Sequence, residues 1–146
     1  MIVGIASDHR GFKTKSKIIK YFTKKNIQYV DFGTTSTESV DYNDYALVVC
    51  DAVKKKRVDF GILICGTGIG MSIMANKISG IMCAKVDSVR EARLAKEHNN
   101  ANVISLSAEL SFFEVKNIIE SYMNASFISE EKYLRRIDKI KKAETK

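Results

Sequence analysis

The sequence predicts an α/β fold, a Rossmann-like three-layer sandwich in which a five-stranded parallel sheet lies between two layers of helices. Five short runs of strand length alternate with segments whose apolar residues recur at helical spacing, and this rhythm is typical of a parallel sheet with helices on both faces. The run from Phe60 to Cys65 is apolar and β-branched, and it leads directly into a glycine-rich turn. We expect the common strand order 2-1-3-4-5, with one additional helix at the C-terminus.

The first half of the chain supplies two strands and two helices before the glycine-rich turn. An apolar run predicts the first strand at Ile2–Ser7, and apolar residues at helical spacing predict a helix over Phe12–Lys25. The second strand, Gln28–Phe32, is followed by a polar, turn-rich loop from Gly33 to Asp41. The second helix is marked by six residues at helical spacing: Tyr42, Tyr45, Ala46, Val49, Ala52 and Val53.

The glycine-rich turn joins the third strand, Asp59–Cys65, to a third helix. The apolar face of that helix recurs at i, i+3, i+4 and i+7, and its members are Met71, Met74, Ala75 and Ile78. A short fourth strand follows at Ile81–Lys85. Asp87 is suited to be the N-cap of a fourth helix that continues to about His98, where two asparagines favour its end.

The C-terminal part of the chain adds the fifth strand, Val103–Ser107, and two more helices. The first of these helices has one apolar face, formed by Phe112, Val115, Ile118, Ile119 and Tyr122. The last helix, over Ser129–Ala143, repeats the amphipathic pattern but has no strand to cover. We expect it to pack either on its own domain or on a partner subunit.

Composition indicates a single globular domain over residues 1–146 and excludes several classes of protein. No apolar run approaches the roughly 20 residues of a membrane span, and the first residues lack the charged region and cleavage site of a signal peptide. We therefore expect a cytoplasmic protein. Three cysteines without a C-x-x-C pair fit neither a disulfide framework nor a structural zinc site; we expect Cys50 and Cys83 to lie in the core.

The net charge of +7 raises the question of nucleic-acid binding. The lysines are dispersed along helical segments without interleaved aromatic residues or a recognition motif, which is typical of solvated helix faces. We expect neither nucleic-acid nor membrane binding. A positive field would instead attract a phosphorylated small molecule.

The glycine-rich turn carries the strongest chemical signal. Strand, turn and helix in this order direct backbone N–H groups at an anion, and the positive end of the helix dipole favours the thiolate of Cys65. The G-x-G-x-G spacing departs from the dinucleotide fingerprint, and the turn lacks the lysine of a P-loop. Met71 stands where a cysteine phosphatase would have its arginine. What remains is a loop that can stabilise an oxyanion, with the Thr67 hydroxyl as a further donor.

The predicted topology places other reactive groups beside this loop. Ligands of open α/β sheets bind at the carboxyl ends of the strands, where the strand order reverses. With the order 2-1-3-4-5 this point lies between strands one and three, which end at Asp8-His9 and at Cys65. A carboxylate, an imidazole and a thiol are therefore expected to converge there.

These motifs together resemble a known family. The combination of Asp8-His9, the block from Cys65 to Gly70 (C-G-T-G-I-G), Ala75-Asn76-Lys77 and His98-Asn99 is similar to the type B ribose-5-phosphate isomerases. That family also contains allose-6-phosphate isomerases and galactose-6-phosphate isomerase subunits. The similarity runs from the first strand to the C-terminal tail.

The resemblance implies an aldose–ketose isomerase that converts ribose 5-phosphate to ribulose 5-phosphate, in the pentose phosphate pathway, without a metal or cofactor. Cys65 would move the proton between C1 and C2 through an enediolate, whose oxygens Thr67 and the loop amides would hold. His98 would assist ring opening, and Asp8 would contact hydroxyls near the anomeric centre. The remaining substrate contacts would come from the loop glycines, the neighbour of His98 and the phosphate-binding side chains: Gly66, Gly68, Gly70, Asn99, His9, Lys132 and Arg136. Tyr42 fits the sugar pocket and the core equally well.

Two features qualify the resemblance. The family has an arginine where this chain has Lys132, and often a second one where it has Glu109; neither replacement offers the bidentate fork of arginine. Two alternatives therefore remain open. One is the same chemistry on a hexose 6-phosphate (allose or galactose), and the other is a non-catalytic module that binds a sugar phosphate.

The position of His98 predicts the oligomeric state. It ends the helix after the fourth strand, so it should lie near the amino edge of the sheet, opposite Cys65. A partner's His98 and Asn99 could complete the site, which predicts a homodimer, or a tetramer of the same kind, with shared active sites. The resemblance implies the same assembly.

Overall fold

Five parallel strands and six helices form the part of the chain that the computed structural model describes, residues 1–145. The strands are β1 (Ile2–Ser7), β2 (Gln28–Asp31), β3 (Phe60–Cys65), β4 (Cys83–Lys85) and β5 (Val103–Ser107). The helices are α1 (Phe12–Lys24), α2 (Tyr42–Lys54), α3 (Ile69–Asn76), α4 (Val89–Asn99), α5 (Phe112–Asn124) and α6 (Glu131–Glu144). The predicted α/β class and its five-stranded parallel sheet are confirmed.

The sheet has the order β2-β1-β3-β5-β4. The crossing point between β1 and β3 is as predicted, but the last two strands have changed places relative to the expected 2-1-3-4-5. Burial explains the exchange. All five residues of β5 are buried, which suits a place beside β3, whereas β4 has three partly exposed residues and takes the edge. Register pairs Leu63 with Ser105 and Cys65 with Ser107.

Successive side chains of a strand point to opposite faces of the sheet, and this alternation divides the core into two layers. Ile62 and Ile64 of β3 join the larger cluster, which contains apolar residues of α1, α4 and α5. Leu63 and Cys65 point to the other face and pack with residues of α2 and α3, including Met71. The thiol of Cys65 therefore belongs to the same layer as the helix that follows it.

Helix ends differ from the sequence prediction at one cap. The N-cap of α4 is Ser88, whose Oγ accepts the N–H of Glu91 at 3.1 Å. The carboxylate of Asp87, the predicted cap, pairs instead with Lys85 Nζ at 2.5 Å. The C-terminal helix α6 packs beside α4 of its own chain. None of the helices within residues 1–145 has the length and apolar character needed to cross a membrane.

Candidate active site

The carboxyl ends of β1 and β3 lie side by side and bring Asp8 next to the glycine loop. Ser7 pairs with Ile64 in the sheet, and the N–H of Asp8 donates to the carbonyl of Ile64 at 3.1 Å. Asp8 is 4% exposed, and its Oδ1 accepts the N–H groups of Arg10 at 2.9 Å and Gly11 at 3.0 Å. This turn leads into α1 and fixes the carboxylate at the carboxyl edge of the sheet.

Cys65 is the last residue of β3 and lies at the start of the loop with only 5% of its surface exposed. Its Sγ accepts a hydrogen bond from the N–H of Gly68 at 3.1 Å, and such a donor stabilises a thiolate. The Oγ1 of Thr67 accepts the N–H of Ile69 at 3.2 Å. The Thr67 hydroxyl therefore keeps its own proton available for a ligand oxygen.

The glycines of the loop are required by the shape around them. Gly68 has φ of +79°, a left-handed conformation that favours glycine, and a Cβ there would lie 3.0 Å from the carbonyl carbon of Leu106. A Cβ at Gly66 would lie 2.4 Å from the guanidinium of Arg10, and one at Gly70 would lie 2.6 Å from the ring of Tyr42. These side chains cover the loop closely because it has no side chains at these points.

Two serines of β5 hold the loop in place through hydrogen bonds to its backbone carbonyls. Ser107 Oγ donates to the carbonyl of Gly66 at 2.8 Å, and Ser105 Oγ donates to the carbonyl of Gly68 at 2.5 Å. Both serines are buried. With these carbonyls engaged, the N–H groups of Gly70 and Met71 in the first turn of α3 have no hydrogen-bond partner among residues 1–145. They form a preorganised donor pair of the kind that stabilises an oxyanion.

His9 and Tyr42 complete the group at this edge. The Nδ1 of His9 accepts the N–H of Val40 at 3.2 Å, so the proton of the neutral imidazole lies on Nε2. The ring of Tyr42 lies against Gly70 and is 36% exposed. Tyr42 therefore lies beside the loop and outside the core, while a contact with the sugar stays a prediction. We call the residues at this edge, Asp8, His9, Tyr42 and the loop from Cys65 to Gly70, the carboxyl-edge cleft.

A second polar group lies at the other edge of the sheet. His98 and Asn99 end α4, and the chain then enters β5, where the carbonyl of Asn102 accepts the N–H of Gly61 near the start of β3. The imidazole of His98 stacks on the ring of Tyr133 in α6, with centroids 4.4 Å apart and planes at 14°. We call the group formed by His98, Asn99, Lys132, Tyr133 and Arg136 the amino-edge cluster.

Lys132 and Arg136 lie one helical turn apart on α6, on the side of the helix that carries Tyr133. The Nζ of Lys132 is 4.9 Å from the Tyr133 ring centre and 3.3 Å from a carboxylate oxygen of Glu130. Eight of the twelve site residues predicted from sequence thus lie in the carboxyl-edge cleft. The other four, His98, Asn99, Lys132 and Arg136, lie in the amino-edge cluster. One chain does not bring the two groups together, because α4 runs back across the sheet before it ends.

Comparison with known proteins identifies the family. The sequence model of the ribose/galactose isomerase family matches residues 3–140. The chain belongs to the ribose/galactose isomerase family. The predicted resemblance is confirmed, and so is the prediction that the protein is an enzyme, an isomerase.

Solved structures and curated relatives agree with this assignment. Ribose-5-phosphate isomerase B of Clostridium thermocellum has a TM-score of 0.96 to this chain at 39% identity, over 99% of this chain and 98% of that one. The Mycoplasma genitalium enzyme of the same name, with ribulose 5-phosphate bound, has a TM-score of 0.92 at 40% identity, over 99% and 97% of the two chains. Ribose-5-phosphate isomerase B of Escherichia coli is 36% identical over 126 residues, or 86% of this chain and 85% of that protein.

The other two thiols of this family member are in different surroundings from Cys65. Burial raises the pKa of Cys50 to about 12, slightly opposed by Lys54. Burial, with Cys50 nearby, likewise raises the pKa of Cys83 to about 12. Both thiols therefore stay protonated and unreactive near neutral pH. The described residues 1–145 also contain no group of three or more His, Cys, Asp or Glu side chains placed to hold a metal ion.

Sequence reasoning missed four residues that shape the two groups: Arg10, Ser105, Ser107 and Tyr133. Arg10 directly follows the Asp8-His9 pair, and its position in the chain could have indicated it. The serines alternate in a strand that was expected at the sheet edge, where they could not have reached the loop. The contact of Tyr133 with His98 joins two helices that are distant in sequence, and no local pattern indicates it.

Proposed function

We propose that this isomerase interconverts ribose 5-phosphate and ribulose 5-phosphate, a reaction of the pentose phosphate pathway, with Cys65 as the base. The observation that carries the proposal is the position of Cys65 beside a loop whose free N–H groups can hold an oxyanion. A proton next to a carbonyl becomes acidic enough to remove only when the developing negative charge on oxygen is stabilised. The ribulose 5-phosphate bound to the Mycoplasma genitalium relative supports the choice of substrate.

Opening of the sugar ring precedes the proton transfer. Asp8 holds a sugar hydroxyl near the anomeric centre, since its Oδ1 is occupied by two N–H groups and Oδ2 has no hydrogen-bond partner among residues 1–145. His98 of the partner subunit assists the transfer of a proton to the ring oxygen. The open-chain aldose then lies with C2 at the thiolate and O1 at the loop.

The isomerisation proper moves one proton between neighbouring carbons. The Cys65 thiolate removes the proton from C2, the C–H electron pair forms the C1=C2 bond, and O1 takes up the negative charge. The N–H groups of Gly70 and Met71 donate to this oxygen. The thiol then returns its proton to C1, while a proton passes from O2 to O1 with the help of the Thr67 hydroxyl, and C2 becomes the ketone. None of these proton transfers requires a metal ion or a cofactor.

The amino-edge cluster enters this scheme from a second copy of the chain. The proposed homodimer is supported by the separation of the two groups and by the exposed apolar face of α3, which begins in the loop. Ile69 and Ile73 on this face are 52% and 58% exposed, and adjacent apolar residues of this size are typical of an interface. A partner that covers α3 would bring its own His98, Lys132 and Arg136 toward the cleft.

The direct test is an isomerisation assay of the purified protein with a panel of sugar phosphates. We expect conversion of ribose 5-phosphate to ribulose 5-phosphate at a rate that EDTA does not change. Allose 6-phosphate and galactose 6-phosphate serve as the hexose arm, because one additional carbon changes binding by only about 1–3 kcal/mol. Faster turnover of a hexose phosphate would assign the same chemistry to a different substrate.

The proposed base is tested by Cys65→Ala. We expect this change to lower kcat by about 10³-fold, because a positioned general base contributes about 10²–10⁴-fold. Cys50→Ala, which removes a buried thiol on the same face of the sheet, is the matched control and should keep its activity. If Cys65→Ala retains the wild-type rate while Cys50→Ala also does, the thiol is not the base.

A further inference from the structure

Arg10 is a cation at the carboxyl-edge cleft that the proposed mechanism does not use. Its backbone N–H is fixed by Asp8, but its guanidinium makes no hydrogen bond within residues 1–145 and has no carboxylate oxygen within 4.0 Å there. Arg10 is exposed, so its guanidinium can be reached from solvent. This guanidinium is available for an anion that enters the cleft.

The guanidinium lies flat on the loop. The Cζ, Nη1 and Nε atoms of Arg10 are 2.4, 2.4 and 2.7 Å from the point where Gly66 would carry a Cβ. Three bonded atoms of a planar group can be nearly equidistant from a point at this range only if the point lies above their plane. The face of the guanidinium therefore packs on Gly66, and its N–H groups point outward along the edges, where they can donate in pairs.

An anion that enters the cleft is repelled by the negative charges around the loop. Two carboxylates stand nearby: Asp8, and Glu109, whose N–H donates to Ser107 Oγ at 3.1 Å. Lys85, a cation at the same edge of the sheet, is paired with Asp87. Arg10 offers a phosphate dianion in the cleft a permanent positive charge that no carboxylate of residues 1–145 pairs, with His9 Nε2–H as a neutral donor beside it.

We propose that Arg10 binds the phosphate group of the substrate, with two of its N–H groups donating to two phosphate oxygens. The planar fork of arginine matches a phosphate in this way. The inference rests on the proposed sugar-phosphate substrate. It assigns the exposed guanidinium of the β1–α1 turn to the phosphate end of the substrate.

The test compares Arg10→Gln, Arg10→Lys and Lys13→Gln with the wild type. Lys13→Gln removes the same charge from an exposed position at the start of α1, and so controls for the long-range field. Three quantities are measured: the KM and the kcat for ribose 5-phosphate, and the Kd of inorganic phosphate from titration calorimetry. Thermal unfolding of each variant checks the fold.

We expect Arg10→Gln to raise the KM and the phosphate Kd together by about 10-fold or more, with kcat within about 3-fold of wild type, because hydrogen bonds between charged groups are among the strongest that a protein makes. Arg10→Lys should recover part of this loss, and Lys13→Gln should leave the KM, the kcat and the phosphate Kd unchanged. A phosphate Kd that Arg10→Gln leaves unchanged overturns the inference, as does a wild-type protein that binds no phosphate. A fall in kcat with an unchanged phosphate Kd also overturns it, and would place the guanidinium at the reacting end. If the wild type binds phosphate but isomerises no sugar, the proposed function fails while the phosphate comparison still decides the role of Arg10.

Discussion

The carboxyl-edge cleft and the amino-edge cluster are held in place by different means. In the cleft, Cys65, Gly66 and Gly68 are buried, and the loop is tied by hydrogen bonds to β5 and to its own backbone. In the cluster, His98 stands at the end of α4 and is held by stacking on Tyr133, while Lys132 and Arg136 are exposed.

This difference matches the two tasks that the proposed mechanism gives to these groups. Groups that stabilise charge in a transition state act best when they are fixed beforehand, because no reorganisation is then needed during the reaction. Groups that must reach across to another subunit have to project from their own fold. The exposure of the amino-edge cluster is therefore what a shared site requires.

Subunit complementation tests whether the two groups act in one shared site. Cys65→Ala and His98→Ala should each lose about 10²-fold or more in activity as homodimers. If the two are unfolded together and refolded as a mixture, half of the dimers are hybrids, and each hybrid has one site with both native residues. We expect the mixture to recover about a quarter of the wild-type activity, since the symmetric interface pairs the variants at random.

The control for this experiment is each variant refolded alone, which should stay inactive. A monomer by light scattering that is fully active contradicts the shared site. A mixture that stays inactive, although mass spectrometry shows hybrid dimers, also contradicts it and would place Cys65 and His98 in the same chain's site.

The rigidity of the cleft is tested by a pair of glycines. Gly68 and Gly80 both have positive φ, +79° and +84°, but a Cβ at Gly80 meets nothing within 4 Å while one at Gly68 meets the backbone of β5. We expect Gly80→Ala to cost about 1 kcal/mol of unfolding free energy from strain alone, and Gly68→Ala about 3 kcal/mol because the clash adds to the strain. Urea denaturation measures both, and equal losses would mean that the loop yields readily.

The stacking contact in the amino-edge cluster should give the smallest effect. Tyr133→Leu removes the ring that orients His98, and we expect kcat to fall by about 3- to 10-fold with little change in KM, since an aromatic pair contributes about 0.5–1.5 kcal/mol. Tyr133→Phe keeps the ring and should restore the rate. A merely structural role would instead lower the melting temperature of Tyr133→Leu and leave the pH profile of kcat unchanged.

The sequence allowed much of the fold to be predicted because the strands carry strong local patterns. β1 and β5 have the predicted bounds, since apolar runs of strand length end in polar turns at both positions. The exchange of β4 and β5 escaped prediction because both strands lie between helices, and their order depends on relative burial across the sheet. Asp87 and Ser88 are both good N-caps by type, and the pairing of Asp87 with Lys85 decides between them.

For the candidate site, as for the fold, residues in a local pattern were predicted and contacts between distant segments were missed. The loop from Cys65 to Gly70 was found from spacing, and the convergence of Asp8, His9 and Cys65 followed from chain topology. Arg10 and Tyr133 were missed because their partners, Gly66 and His98, lie far away in sequence and the contacts depend on side-chain direction. Such contacts carry no periodic signal that a single sequence can show.

The two serines of β5 couple the register of the sheet to the conformation of the glycine-rich loop. Ser105 and Ser107 share a face of the strand, while Ile104 and Leu106 face the opposite layer. If β5 slipped by one residue against β3, two hydrocarbon side chains would meet the loop carbonyls, and two hydroxyls would enter the apolar core. A sheet with this shifted register would thus lose both its apolar core and the hydrogen bonds that hold the oxyanion loop. The five residues of β5 therefore favour the correct register for two separate reasons.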